Sequence, residues 1–531
     1  MFSRNLNAFL RYAPFDFSAL TRLLTPMKAF AGRPARSWPG DMKLSDRMAH
    51  PREYESLQRT RRTALEALLM EEPTKENVND AVDLICAICE ESSWSLMQKD
   101  VYFDDETFPA IDLACSETAV LFGWTACMLG EALDACNPMI MARMLSEVRK
   151  RVFRSTSVHD DYPFMLGEGA YSLTIAVNIA IAALLLERDE GRLTRLLRRL
   201  FEKIDTLAGI HGRFYVPLEE SVTDIAAMAD LVFILQRLTE GAVDLSRTTP
   251  DQECADEILF SWICDDYFVD PAGSGMKPPI SGSDVYRIGK IVGDRDLAAL
   301  GTQLHLIRKI PPRTLTGRMI DSVFASQIDQ NINRPPRLAY AVLRENRLMT
   351  VRMGNLYCAM HAGGGHKNVG EICLFMDGAP MIPFGDSASE NRNLPKFNDC
   401  DQNPQPEQAC IADFAAYTDR ETLSIDVTNA YPAECHLESY QRTIIAMRRE
   451  KMLRIVEAVR FSEPTAAAFT LRCAVRPTLV SEAVRIGSVR LTWEGELQIA
   501  QTPLENGLTE LTFTTPQPVD SGIYTFNFEL P

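Results

Sequence analysis

The hydrophobic period of this chain changes near "NINRPPRLAY" (331–340), and that change limits its folds more than any other feature. Upstream, from about 51 to about 310, apolar residues recur at helical spacing. Leu65, Leu68 and Leu69 share one face, as do Val78, Val82, Ile85 and Cys89. "ETAVLFGWTACMLGEAL" (117–133) and "AVNIAIAALLLE" (176–187) are apolar nearly all round, which marks them as inner helices. "GRLTRLLRRLFEKI" sets Leu193, Leu196, Leu197 and Leu200 against Arg192, Arg195, Arg199 and Lys203, a face expected to be solvated. Downstream the period is two: "LMTVRM", "ICLFMDG", "LSIDVTNAY", "AFTLRCAVRP", "VRLTWEG" and "IYTFNFEL" alternate between turn residues.

Stacked antiparallel helix pairs followed by short strands predict a two-domain α+β protein. The expected division is a loosely packed lead-in over 1–50, where prolines and glycines interrupt short apolar pieces, then helices over 51–335 and an antiparallel β-sandwich over 336–531. A substrate cleft is expected between the two domains.

The formal net charge of −17 argues against nucleic acid or an anionic membrane as the main partner. An acidic polysaccharide would need a local basic cleft. The 13 cysteines are scattered, and Cys86 and Cys89 sit in an apolar helical run without a second pair at zinc spacing. Buried free thiols and a reducing compartment are expected. No run reaches the ~18–20 apolar residues of a membrane span, and no signal-peptide pattern opens the chain. A cytoplasmic protein is the resulting expectation.

Eight pieces, in order, resemble the heparinase II/III-like proteins among the polysaccharide lyases. They are "AICEESSW" (87–94), "PAIDLACSETAVLFGWTACMLGEALDA" (109–135), "AALLLERD" (182–189), "DDYFVDPAG" (265–273), "VYRIGKIVGDRDLAALG" (285–301), "GGGHKNVGEICLFMDGAPM" (363–381), "NLPKFND" (393–399) and "AYPAECHLESYQRTI" (430–444). The resemblance implies an incomplete α/α toroid followed by the β-sandwich. It also implies β-elimination at a uronic acid: a base removes the C5 proton, an amide or cation neutralises the charge that develops, and an acid protonates the leaving oxygen.

The resemblance carries over only in part at the positions that do this chemistry. Where the family presents an Asn-Trp segment, this chain reads "GEGAYSLTIAVN" (167–178) and leaves Asn178 as the nearest amide. Where the family has its proton-transfer tyrosine, "HGRFYVPLEESVTD" (211–224) places Tyr215 early and Glu219 or Glu220 near the expected spot, with His211 and Arg213 in the same loop. The glutamates also fit a helix N-terminus, where the dipole favours negative charge. The family's histidine loop survives as His366, flanked by Lys367 and Asn368, and a later His-Asn becomes Arg392-Asn393. One histidine, a displaced Asp386 and an arginine make a poor zinc set. No cofactor is expected, and Lys367 and Arg392 are expected to do electrostatically what a metal would.

Glu90, Glu91 and Trp94 admit two readings: a cleft wall with an aromatic that stacks on sugar, or a helix-end carboxylate pair beside a core tryptophan. Tyr286-Arg287 and the His436, Tyr440, Arg442 strand are expected to be structural. The expected function is lyase-like elimination on an acidic, uronic-acid-containing saccharide, with Tyr215, His366, Arg392 and Glu219 as its catalytic groups. Two alternatives stand beside it: a scaffold without turnover that binds a glycan or a protein, and a glycoside hydrolase using carboxylates such as Glu90 and Glu219.

Overall fold

A computed structural model describes residues 1–24, 42–96, 107–210, 216–243, 245, 250–270, 275–331, 333–343, 348–362, 368–384, 393–403 and 411–531. Helices fill the N-terminal part and sheets the C-terminal part. The chain divides into two compact units. One comprises Met1–Gly212, Glu220–Ala255 and Ser281–Arg334; the other comprises Arg213–Glu219, Asp256–Ile280 and Pro335–Pro531.

The helical unit is built around the two segments that lack a polar face. All of Ser172–Leu186 is buried, and it packs on Leu113–Cys136. Gly123 permits that approach: a Cβ there would lie 3.1 Å from the Leu185 side chain. Leu113–Cys136 is long and apolar enough to cross a membrane by length and composition, yet most of its apolar window is packed inside this core. Around these two lie amphipathic helices, including Pro51–Leu69, Lys75–Cys89, Glu190–Ile210 and Leu315–Gln330. Gly282–Val292 and Arg295–Ile307 meet backbone to backbone. A Cβ on Gly301 would fall 2.2 Å from the Tyr286 nitrogen, and one on Gly289 would fall 2.5 Å from that of Ala298.

Two sequence expectations change here. The first residues are not loosely packed: Phe2–Leu10 is a helix that buries Phe2, Leu6 and Phe9. The Phe2 and Phe9 rings meet Phe201, and Asp205 accepts from the backbone nitrogens of Phe2 and Ser3 at 2.8 and 3.1 Å. The 4-3 spacing of Phe2, Leu6 and Phe9 provides an apolar stripe that the nearby prolines obscure. In the cysteine pair, Cys89 is buried and its thiol is pushed up to about 12 by burial, whereas Cys86 is exposed. Both are free thiols.

The β unit holds three larger antiparallel sheets. Five strands run in sequence order from Tyr340–Val342 to Ala379–Ile382. An eight-stranded sheet is centred on Val519–Glu529, Met452–Thr465 and Leu437–Met447, and a four-stranded one on Thr509–Thr514 and Ala467–Cys473. Side chains alternate as a pleated strand requires, so Leu453, Ile455 and Val459 enter a core that all three sheets share. Segment 256–280 counts with this unit rather than with the helices. Ile263, Cys264 and Val269 share a core with Leu348, Tyr357 and Phe375, and Arg352 donates to the carbonyls of Ile263 and Trp262, both at 2.8 Å.

Candidate active site in the helical unit

Polar side chains gather along one side of the Ser172–Leu186 helix. Tyr171, Thr174 and Asn178 stand three and four residues apart and therefore share a face. Tyr171 caps the helix in the left-handed region, φ 58 and ψ 26. A bulky residue rarely adopts that conformation, which costs about 1–3 kcal/mol and persists where the surroundings over-determine it. Two contacts hold it. Its nitrogen donates to Glu220 Oε1 at 2.7 Å, and the Arg313 guanidinium lies 4.9 Å from the ring centroid. One turn on, Asp224 accepts from the nitrogen of Thr174 at 2.9 Å and from its hydroxyl. Glu220 and Asp224 are themselves one turn apart on Leu218–Leu238, so two helix faces meet through matched polar pairs.

Arg313 stands just before Leu315–Gln330, whose N-terminus continues the constellation. The Leu315 nitrogen donates to both oxygens of Glu117, at 3.1 and 3.0 Å. Arg318 binds Glu66 through Nε and Nη2 at 2.6 and 2.9 Å, donates to the Arg313 carbonyl at 2.6 Å, and lies 3.7 Å from Glu117. Burial raises the Glu117 carboxyl above its ordinary range, and Arg318 opposes that shift. Burial also raises the Tyr171 phenol; Arg313 pulls it back, while Glu220 and Asp224 push it up. Tyr171 is half-buried and Arg313 exposed.

The structure places the expected site residues as follows. Asn178 is buried, and its amide donates to Ser116 Oγ and Glu117 Oε1, both at 3.2 Å. With both N–H groups engaged there, it has no donor left for a sugar carboxylate. Trp94 is fully buried, donates to the Ile88 carbonyl at 2.9 Å and packs edge-on against Phe122, which removes it from any sugar face. Glu91 is equally buried and takes Gln58, Arg61 and Arg62 at 2.8–3.0 Å. The reading as a helix-end carboxylate and a core tryptophan is the one these contacts fit. Glu90 is exposed at the end of Lys75–Cys89, and Glu219 is half-buried at the start of Leu218–Leu238.

In the β unit, Asn393 is buried. Its amide donates to the Pro383 and Ile372 carbonyls at 2.7 and 3.3 Å and its oxygen accepts from the Arg472 nitrogen at 2.7 Å, so its role is to join strands. Asn368 has φ 78 and precedes Val369 and Gly370 in a turn. Tyr440 and Arg442 both bind the buried Glu457, at 2.8 and 2.7 Å, as expected of structural residues. Tyr286 and Arg287 are buried as well. Tyr215, His211, Arg213, His366, Lys367 and Arg392 lie outside the described residues, as does Asp386. Among the described residues no three His, Cys, Asp or Glu side chains are grouped to hold a metal ion.

The architecture has known counterparts. The chain is similar to a heparinase III with a TM-score of 0.59 at 9% identity, over 89% of this chain and 76% of that one. The chain has a heparinase-like polysaccharide lyase fold. It is also similar to the chondroitin AC lyase of Streptomyces coelicolor A3, with a TM-score of 0.55 at 9% identity, over 97% of this chain and 82% of that one. No family profile and no curated protein matches the sequence.

Within this lyase-like fold, the residues that sequence reasoning missed are Tyr171, Arg313 and the Glu117–Arg318 pair. Tyr171 lies inside the segment singled out for its lost asparagines, where attention to a surviving amide passed over the tyrosine. Arg313 sits in "KIPPRTLTG", which carries no recognisable motif; only the fold returns it to Tyr171.

Proposed function

We propose that this protein acts on an acidic, uronic-acid-containing oligo- or polysaccharide by β-elimination, within an α/α toroid and β-sandwich architecture. One observation supports the reading most: a half-buried tyrosine, held in a strained backbone conformation, with an exposed arginine against its ring. Strain of this kind concentrates at functional sites. In the proposed reaction, Tyr171 takes the C5 proton as phenolate and returns a proton to the leaving oxygen, while the C4–oxygen bond breaks and a C4–C5 double bond forms. Arg313 favours the phenolate and pairs with the uronate carboxylate. Solved proteins of similar fold carry the names heparinase III and chondroitin AC lyase, which supports the substrate class.

Tyr215, His366 and Arg392, with Glu219 beside them, form the alternative proton-transfer set carried over by resemblance. Comparing Tyr171→Phe with Tyr215→Phe separates the two. The assay is ultraviolet absorbance from the new double bond, on heparinoid, chondroitin, hyaluronan and alginate oligomers. Loss of turnover by at least about 100-fold in Tyr171→Phe, within the range of general acid–base effects, supports the assignment. Full turnover in that variant refutes it. The reading as a binding scaffold draws on Asn178 and Trp94, whose sugar-facing roles are spent on the core. Saccharide binding without any absorbance change, by folded wild-type protein, is the outcome that favours it.

A further inference from the structure

A cavity in the helical unit, of about 550 Å³, is lined by Arg149, Lys150, Arg154, Arg192 and Arg195 over an apolar floor that includes Phe153 and Leu196. One wall is the turn that follows Met139–Val148. There Arg149–Phe153 form a π-helical turn, and Arg154–Thr156 resume the α-helix. The wider turn carries Arg149, Phe153 and Arg154 to the same side. Such single-turn insertions are frequent at functional sites. The other wall is the start of Glu190–Ile210, where Arg192, Arg195 and Leu196 recur at three- and four-residue spacing.

The lining carries five cations and one carboxylate, Glu187, in a protein of net charge −17. Arg149 neutralises Glu187 through two hydrogen bonds, the Nε contact at 2.9 Å. Arg154 is exposed with no ion-pair partner among the described residues, and Arg195 donates to the Gly191 carbonyl at 3.2 Å. Asp189 accepts from the Arg192 backbone nitrogen at 2.8 Å, and its carboxyl is held below the ordinary range by that bond first and then by the attraction of Arg192, Arg149 and Arg195. Arg199, which continues the same stripe, is different: it is tied to Asp160 at 2.5 Å and to the His159 carbonyl at 2.6 Å. The stripe read from sequence as one solvated face is thus divided, with its first two arginines turned to the cavity and the third paired. Arg154, Arg192 and Arg195, exposed around this concave lining, cost Coulomb energy that an anionic ligand relieves.

We infer that this cavity is an accessory binding site for the acidic saccharide, separate from the Tyr171 constellation, and that its arginines clasp sulfate or carboxylate groups. The inference rests on the substrate class proposed above. Arginine suits the task because its planar fork matches both anions bidentately.

The test is titration calorimetry of the full chain with a chondroitin sulphate hexasaccharide at low and high salt. The comparison is wild type against the triple variant Arg154→Gln, Arg192→Gln, Arg195→Gln. All three side chains are exposed, and circular dichroism verifies folding. Losing three such contacts should weaken binding by about ten- to a hundredfold at low salt and flatten its salt dependence. Tyr171→Phe should keep that salt-sensitive binding. An uncharged maltohexaose should not bind at the site. Unchanged affinity and salt slope in the folded triple variant overturn the inference. If the triple variant loses binding while no substrate is ever turned over, the accessory site stands and the elimination reading falls. If turnover persists with binding unaltered, the reverse holds.

Discussion

Arg287 illustrates at the scale of one residue how this chain places charge in its interior. It is fully buried and binds Asp230 at 2.6 and 3.3 Å and Asp284 at 2.6 Å, with Asp321 at 3.7 Å. Gly317 makes room for it, since a Cβ there would sit 2.7 Å from a guanidinium nitrogen. One cation cannot neutralise three carboxylates. Burial pushes Asp230 up to about 7, Arg287 opposes this, and Asp284 and Asp321 add to it. Asp321 is raised too, by burial first, with His305 and Arg287 among the groups that favour its ionised form. Because the folded state holds the Asp230 proton that the unfolded chain releases, this group makes stability fall as pH rises from about 4 towards 7. Asp230→Asn should remove that part of the slope, read as the melting temperature against pH; an identical slope in the variant contradicts the assignment. At Tyr171 burial raises the phenol and the neighbouring Arg313 opposes that shift. Arg313 favours the phenolate, so Arg313→Ala should move the rising limb of the pH–rate profile to higher pH. A profile that does not move would separate Arg313 from the proton transfer.

At the scale of elements, the two apolar helices were legible because they lack a polar face, and the strands because their alternation is strict. What hid was whatever depends on a distant partner. The helix Phe2–Leu10 reads as a marginal amphipathic piece until Phe201 and Asp205 are placed against it. Phe9→Ala should therefore cost about 3–5 kcal/mol, the range for a buried phenylalanine, where a loose lead-in would lose almost nothing. Denaturant midpoints measure this. Likewise "VYRIGKIVGDRDLAALG" shows its glycines, but their purpose appears only as backbone contact between Gly282–Val292 and Arg295–Ile307. Gly301→Ala should destabilise by about 1–3 kcal/mol or more, because the atom it meets is backbone and cannot swing aside. By its position in the chain, segment 256–280 falls among the helices; its apolar residues belong with Tyr357 and Phe375 in the β unit.

For the whole molecule, the order of helices then sheets followed directly from one change of period. The candidate chemistry did not. Asn178 and Trp94 looked functional because their residue types suit sugar recognition, yet hydrogen bonds and burial commit both to the core. Tyr171 and Arg313 are 142 positions apart in the chain and meet only through the fold. The central claim is that this lyase-like fold cleaves an acidic saccharide by elimination rather than by hydrolysis with carboxylates such as Glu90 and Glu219. The most direct test is digestion of chondroitin and heparinoid oligomers in heavy-oxygen water, with the products weighed by mass spectrometry. Elimination predicts unsaturated fragments whose masses sum to that of the substrate and carry no heavy oxygen. Saturated fragments whose masses sum to that of the substrate plus one water, with heavy oxygen at the new reducing end, would contradict it.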